Sequence, residues 1–453
     1  MKVKGVIGFI LLTLLWAGSP WAQSSQGPLT LEESIRIALD RNLNLHSVKE
    51  GVLGAEFTRK SARAAFFPKW TGQYGWNWLS SPTTLGSQSV PTTPRDVGPS
   101  AAAATTTVTV PTTSRYNYNL STSLNQPIYL GGATHANYNI AKLGVELSKM
   151  TVEQARLDIV LQTRVGYLNI LRAEKFVDVA KQAVKQFEGQ LQISQAYFEV
   201  GLIAKADVLQ AEVNLANALQ AQVKAENDLY VAKAAFNNLL RRGLNTPVEV
   251  IDILVYKPFP LSFDESVDEA LRQRPELKAA GVSIDQAKEN VKLTRSAMLP
   301  NVSLFGNYSR NSDHVFLNGD LSSDRWSITA LATLTLWDWG GIYYQVGASK
   351  VKVTQAEDSR TQLKESITLE VKDDFLNMLV AEKNINTAAK AIEQADENLR
   401  LNEERYKYQV STAFDVINAV TLLAQARTNY YGALSDFNVA KASLERSMGR
   451  MYP

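Results

Sequence analysis

Few side chains in this sequence are of the kinds that carry catalysis or bind metals. The chain has three histidines, His46, His135 and His314, which lie far apart without metal-ligand spacing, and it has no cysteine. The glycine pairs Gly131-Gly132 and Gly340-Gly341 are not followed by the Lys-Ser/Thr of a phosphate-binding loop, so we expect them to end strands. The sequence therefore predicts no enzyme, no cofactor and no metal site.

The elements of the chain come in two copies of one unit. The segment 29–39, which contains Leu-x-x-Ser-x-x-x-Ala-Leu, returns in similar form at 261–271, and residues 198–211 match 406–419 at a shorter offset. The offset shortens because the first copy has a longer insert, and such inserts belong in loops. We assign residues 23–260 to the first repeat and residues 261–453 to the second.

Composition indicates an exported protein that meets water along much of its length. Apolar residues make up 45% of the chain and charged residues 20%, which argues against an inner-membrane helical bundle. Residues 1–22 have a basic start, an apolar run and small residues at the end, and they predict a secretory signal peptide. A membrane anchor is the alternative, but the run is shorter than the ~20 residues of a spanning helix. The net charge of +2 gives no basis for nucleic-acid binding.

Four segments alternate apolar and polar residues with the period of a β-strand. They lie at 69–79, 115–127, 301–309 and 325–337, and each has about the length that crosses a bilayer as a tilted strand. Lipid tolerates no open sheet edge and four strands cannot close a barrel, so several chains must pool their strands. An edge of a soluble sandwich is the alternative. The residues that we expect to face lipid are Trp70, Tyr74, Trp76, Trp78, Tyr116, Tyr118, Trp326 and Ile328.

Two loops of different character connect the paired strands. Residues 80–114 are rich in Ser, Thr, Pro and Ala and form a low-complexity insert with nothing to bury, whereas residues 310–324 form a shorter loop. We expect both loops outside the cell.

The rest of the chain predicts two long helical hairpins, at 133–242 and 342–448, with a linker at 243–260 after the first. Proline is absent between Pro127 and Pro247, and apolar or small residues alternate steps of four and three, which is a heptad pattern. At ~1.5 Å per residue the first arm of a hairpin reaches ~100 Å and its returning arm only ~60 Å. We expect the opening helices of each copy to supply the missing length.

These features together resemble the TolC-type outer-membrane efflux proteins, the outer membrane factors. The resemblance is carried by the duplicated opening, the strand exits at Gly131-Gly132 and Gly340-Gly341, and the turns Val200-Gly201-Leu202 and Asp207-Val-Leu. It implies a mixed α and β membrane protein: a homotrimeric transmembrane β-barrel, four strands from each chain, that continues into a periplasmic α-helical coiled-coil tunnel. The location implied is the outer membrane of a Gram-negative bacterium.

The function implied is a passive exit duct of a tripartite efflux or type I secretion system. Its partners would be a periplasmic adaptor protein and an inner-membrane pump of the RND, ABC or a similar class, with outer-membrane lipid around the barrel. A non-conducting structural coiled-coil or surface protein is the alternative. Small molecules, metal ions and proteins all remain open as cargo.

The resemblance also assigns roles to residues at the far end of the helices. The expected adaptor-contact tips are Val200, Gly201, Leu202, Ser411 and Thr412. The expected pore gate consists of Asp207, Tyr406, Asp415 and Asn418, with Asp207 and Tyr406 linking helices. Three Asp415 carboxylates facing one another would favour cations in a narrow pore. Gln409, Ser411 and Asn418 depart from the family pattern, which predicts a looser closed state and weaker cation block.

Overall fold

The computed structural model describes residues 27–81, 84–92, 104–111 and 114–451, and the predicted signal peptide at 1–22 lies outside this part. The first copy contains α1 (Leu31–Arg41), α2 (Leu43–Ala64), β1 (Lys69–Trp78), β2 (Thr84–Thr92), β3 (Ala104–Pro111), β4 (Tyr116–Leu130), α3 (Ala133–Glu199) and α4 (Lys205–Leu239). The second copy contains α5 (Phe263–Gln273), α6 (Pro275–Arg295), a short 3-10 turn (Ser296–Met298), β5 (Asn301–Ser312), β6 (Ser323–Thr333), α7 (Gly341–Lys407) and α8 (Ala413–Ser447).

The repeated opening motif starts a helix and then buries its small residues. Thr30 caps α1 and Ser262 caps α5, each by accepting a hydrogen bond from the backbone N–H three residues later. The motif serines Ser34 and Ser266 are fully buried, and each hydroxyl donates to the carbonyl of its cap residue at 2.8 Å. The motif is therefore explained by capping and close packing.

The four predicted strands form one antiparallel sheet in the order β1-β4-β5-β6. The predicted fourth strand, 325–337, was too long, because β6 ends at Thr333. Thr333 pairs with Asn301, the first residue of β5, and Pro300 precedes it. Proline cannot donate to the ladder, so β6 has no strand to pair with beyond this point.

The Ser/Thr/Pro-rich insert contains a second sheet that the composition did not predict. Strands β2 and β3 pair antiparallel, with Thr84 opposite Pro111. The segment Ala-Thr-Thr-Thr-Val-Thr-Val is rich in β-branched residues, which favour strands even where the overall composition suggests low complexity.

The two glycine pairs turned out to differ. Gly131 (φ +60°) and Gly132 (φ +88°) directly follow β4 and end it, as expected. Gly340 (φ +84°) instead caps the start of α7, well after β6, so the expectation that this pair ends a strand was wrong. The residue before Gly340, Trp339, has the left-handed φ of +57° that Gly131 has in the first copy.

The helices pack side by side as a layer four helices wide. The long helices α3 and α7 have 67 residues each, and α4 and α8 have 35 each. Along its first part α3 lies between α2 and α6, as Phe66 against His135 and Asn139 against Glu289 show. Further along, α3 lies between α4 and α8. The shorter helices thus pack against different parts of the long helix α3, as the arm lengths predicted.

The main core lies where α2 and α6 give way to α4 and α8 along the side of α3. Tyr167 on α3 is fully buried and packs edge-to-face on Phe236 of α4 at 6.1 Å between ring centroids. Its hydroxyl accepts from the backbone N–H of Ile251 at 2.8 Å and lies 2.9 Å from the carbonyl oxygen of Leu29. Burial raises the pKa of Tyr167 to about 12, so this hydroxyl stays neutral and holds the linker onto α3.

A cluster of charged side chains joins four helices beside this core. Arg274 is only 4% exposed and contacts Glu276 at 3.0 Å and Glu370 of α7. Arg446 of α8 binds Asp158 of α3 at 2.7 Å and Glu370 at 3.0 Å. Because both guanidinium groups are paired, Arg274 can be buried while the half-exposed Asp158 and Glu370 hold the helices to one another.

Candidate functional site

The register of the sheet places all eight residues predicted to face lipid on one face. Trp70 is opposite Leu124, Trp76 opposite Tyr118, and Trp78 opposite Tyr116. Across β4 and β5 the same face continues to Trp326 and Ile328 of β6. These side chains are largely exposed, Trp70 to 77% and Trp326 to 74%. The sheet therefore presents one broad aromatic face.

The opposite face of the sheet is made mostly of amides and hydroxyls, several of which bond to one another. Thr71 and Ser123 lie 2.7 Å apart between their hydroxyl oxygens, and the Asn119 amide donates to Asn311 Oδ1 at 2.6 Å. We name this the polar face; it consists of the odd-numbered residues of β1, β5 and β6 and of β4 as far as Pro127, where a bulge shifts the register. A sheet with one apolar and one polar face suits a wall between lipid and water.

The sheet and the helical layer have their unpaired edges on the same sides. Among the described strands, β1 pairs only with β4, and β6 pairs only with β5. In the helical layer, α2 and α4 form the edge on the same side as β1. Helix α7 forms the other edge, on the same side as β6. The outer side of α4 exposes Val213, Val223 and Tyr230. Among the described elements, each chain therefore has one open edge at β1, α2 and α4 and another at β6 and α7.

The first tip turn connects α3 and α4 and contains three of the predicted adaptor-contact residues. Gly201 has a φ of +76° and its N–H donates to the carbonyl of Phe198 at 2.9 Å. The N–H of Leu202 donates to the carbonyl of Tyr197 at 2.8 Å, which completes a Schellman motif. Val200 and Leu202 are exposed at the end of the hairpin.

The second tip turn has the same backbone with a different residue in the strained position. Gln409 has a φ of +61°, and the N–H groups of Gln409 and Val410 donate to Tyr406 and Arg405 at 3.0 and 2.8 Å. Gln409 is thus the structural counterpart of Gly201. A side chain in the left-handed region costs energy that glycine avoids.

Thr412 caps the start of α8, and Asp415 in the first turn completes a capping box with it. The Oδ2 of Asp415 accepts from the N–H of Thr412 at 2.9 Å, from the Thr412 hydroxyl at 2.8 Å and from the Ser411 hydroxyl at 3.1 Å. The bond from the Thr412 N–H, then those from the two hydroxyls, lower the pKa of Asp415 below its ordinary value of 3.8. The carboxylate is therefore ionised at neutral pH. Ser411 and Thr412, which are predicted tip residues, also donate hydrogen bonds to it.

The remaining predicted gate residues lie nearby without joining one another. Tyr406 is buried against Tyr197, with ring centroids 5.5 Å apart, and its hydroxyl has no hydrogen-bond partner among the described residues. Asp207 accepts from the N–H of Ala204 at 3.3 Å. Within the described part of one chain, Asp207 and Tyr406 share no hydrogen bond. Asn418 is exposed, one helical turn beyond Asp415.

The described residues offer little to other kinds of site. They contain no group of three or more His, Cys, Asp or Glu placed to hold a metal ion. None of the helices described here combines the length and the apolar character needed to cross a membrane.

A model of the family described as outer membrane efflux protein matches residues 34–240 and 266–450. The chain belongs to this family. Its sequence is 26% identical over 305 residues to the outer membrane protein TolC of Vibrio cholerae, covering 65% of this chain and 68% of that one. It is 21% identical over 422 residues to the outer membrane efflux protein BepC of Brucella suis, covering 93% and 86%.

Solved structures with the same fold include two membrane channels. CusC superposes with a TM-score of 0.76 at 15% identity, covering 93% of this chain and 92% of that one. The Campylobacter jejuni CmeC channel has a TM-score of 0.74 at 17% identity, covering 99% and 93%. This outer membrane efflux protein is accordingly an outer-membrane exit channel with a large periplasmic part.

Sequence reasoning missed two aromatic pairs of the efflux protein between the end of β6 and the first turn of α7. Trp337 and Trp339 pack edge-to-face at 5.9 Å, and Tyr343 and Tyr344 at 5.5 Å, and all four are exposed. The sequence interpretation placed Trp337 at the end of the strand and the residues after it at the strand exit, whereas all of them lie beyond β6. Asp338 between the two tryptophans instead accepts from Gly340 and Ile342, which starts α7.

Proposed function

We propose that three copies of this chain close edge to edge into one duct that passively conducts substrates across the periplasm and the outer membrane. The observation that supports this best is the coincidence of the open edges: β1 and β6 in the sheet, and α2 or α4 and α7 in the helical layer. Lipid cannot satisfy the unpaired backbone groups of β1 and β6. Pairing β6 of one copy with β1 of the next would remove both edges and give about twelve strands.

Reconstitution tests the duct directly. We expect the purified protein to require detergent, to have the mass of a trimer and to give stepwise conductance in planar bilayers. A water-soluble monomer without conductance would instead favour the non-conducting structural protein, which shares the coiled coils but does not explain the polar face.

The tips of the two hairpins form the proposed contact with a periplasmic adaptor and, through it, an inner-membrane pump. Val200, Leu202 and Thr412 support this assignment because they are exposed at the end of the long helices. A photo-reactive residue placed at Leu202 or Thr412 is expected to cross-link to one adaptor protein in cells. The control position is Lys390, exposed on α7 well above the tip, where no such product is expected.

Asp415 is the proposed gate residue, with Asn418 one turn further along the same exposed side of α8. Its hydrogen bonds keep it ionised, so three copies around a narrow pore would attract cations. Asp415→Ala is expected to abolish block of single channels by a polycation, whereas Asn418→Ala should leave the block in place. Unchanged block in Asp415→Ala would remove Asp415 from the gate.

Selection of the cargo is left to the pump in this proposal. The channel then needs only a water-filled path and a tip that opens when the adaptor binds.

A further inference from the structure

The polar face of the sheet carries positive charge and no negative charge. Its residues in the four strands are Lys69, Thr71, Gln73, Gly75, Asn77, Asn117, Asn119, Ser121, Ser123, Asn125, Pro127, Asn301, Ser303, Phe305, Asn307, Ser309, Asn311, Ser323, Arg325, Ser327, Thr329, Leu331 and Thr333. Only Lys69 and Arg325 are charged. A wall that conducts cations would be expected to carry carboxylates, and none occurs on this face of the strands.

The register establishes that both cations belong to this face. Lys69 is opposite Asn125, and Arg325 is opposite Ser309, which is in turn opposite Ser121. Both side chains are exposed, and neither has an ion-pair partner among the described residues. Their charges are therefore available to solutes on the polar side.

The aromatic face provides a contrast. It also has a cation, Arg310, but Arg310 lies 3.6 Å from Asp324 on the neighbouring strand, and the two charges cancel. The unpaired positive charge of the sheet is thus confined to one face.

We propose that Lys69 and Arg325 give the strand section of the duct a preference for anionic over cationic solutes. This inference rests on the proposed function, because only closure of three copies turns the polar face into the lining of a channel. Lys69 would then form a ring where the strands join the helices, and Arg325 a ring towards the outer end. Through the ladder Arg325 aligns with Gln73, four positions along β1 from Lys69, or ~13 Å.

The duct would then carry opposite charges at its two ends. Asp415 at the tip is negative, whereas the outlet is positive. An anionic solute that passes the tip would meet an attractive wall at the outlet, and a cation would meet a repulsive one. The outlet is wide, so this effect depends on ionic strength: charges act over ~30 Å at 0.01 M salt but only ~3 Å at 1 M.

The test is the reversal potential of reconstituted channels in a KCl gradient. The parent is the Asp415→Ala variant, which removes the charge at the tip. Adding Lys69→Gln and Arg325→Gln is expected to lower the chloride-to-potassium permeability ratio about two-fold or more near 0.01 M salt and to have no effect near 1 M. The matched control adds Arg310→Gln and Asp324→Asn, on the aromatic face, and should leave the ratio unchanged.

Because the chain has no cysteine, a second measurement avoids variants that fail to assemble. Arg325→Cys can be modified in the assembled channel with a negative or a positive methanethiosulfonate. The negative reagent should lower the anion preference and the positive one should restore it. Channels that conduct but show the same low-salt ratio with both reagents overturn this inference and leave the duct intact, whereas absence of conductance in the unmodified protein overturns the proposed function itself.

Discussion

Replacing Gln409 with glycine tests whether the tip of the α7–α8 hairpin holds a strained backbone. Gln409 has a φ of +61°, whereas Gly201 at the same place in the α3–α4 hairpin has +76°. The two turns make the same pair of backbone hydrogen bonds. They therefore differ in the side chain and not in the backbone, and each can serve as the reference for the other.

The size of the effect follows from two opposing terms. A residue with a Cβ loses ~1–2 kcal/mol in the left-handed region. Glycine avoids this loss but gives up ~0.5–1 kcal/mol through its greater freedom in the unfolded chain. The difference, about 0.5–1 kcal/mol, should stabilise the tip in Gln409→Gly. At ~1.4 kcal/mol for each factor of ten, the opening equilibrium of the turn changes about two- to five-fold.

Hydrogen–deuterium exchange of the assembled protein measures this change where it occurs. The reporters are the amides of Gln409 and Val410, which are bonded at 3.0 and 2.8 Å. Local opening governs exchange at such a turn, so we expect both amides to exchange about two- to five-fold more slowly in Gln409→Gly. The reciprocal variant Gly201→Gln should accelerate exchange of the backbone amides at positions 201 and 202 by a similar factor.

Gln409→Ala separates strain from loss of the long side chain, because alanine keeps the Cβ. The reasoning is refuted if Gln409→Gly leaves exchange unchanged, or if Gln409→Ala slows it equally. Gln409 is expected to loosen the closed tip of the channel. Gln409→Gly should therefore also lower the conductance of single channels in the resting state.

Three further outcomes follow from the packing of the helices. Glu276→Gln leaves the buried Arg274 without one of its partners and should lower the free energy of unfolding by about 3 kcal/mol, measured by urea denaturation. Burial opposes ionisation of Glu276, but the hydrogen bonds from Arg274 and from its own backbone N–H, together with the charges of Arg274 and Arg446, outweigh it and lower the pKa below 4.5. This stabilisation is therefore present above pH 4.5 and lost as the pH falls further, and a urea midpoint independent of acid pH would contradict it. Gly166→Ala brings a Cβ within 3.0 Å of Phe236 Cδ2 and should cost about 1–3 kcal/mol in the same denaturation assay, whereas Gly189→Ala, with open space around it, should cost nothing.

Local patterns in the sequence predicted those features of the structure that depend on a single helix or strand. The alternation from Trp70 to Trp78 predicted the aromatic face of β1, because side chains of a strand alternate whatever its partner is. The heptads predicted the seam of the long hairpins, in which Ile170, Val416 and Leu423 are buried. Serine and threonine caps are also local features, because the hydrogen bond from the cap side chain to the backbone closes within one helical turn.

Features that depend on a distant partner were decided only by the tertiary structure. The end of β6 at Thr333 coincides with Pro300, which directly precedes the neighbouring strand β5, and the aromatic residues that follow Thr333 do not mark it. The burial of Arg274 depends on carboxylates brought from other helices, and the isolation of the Tyr406 hydroxyl depends on how α3 and α8 surround it. Sequence spacing predicts which residues share a face of one element, but pairing between elements requires the long-range contacts that form only when the chain folds.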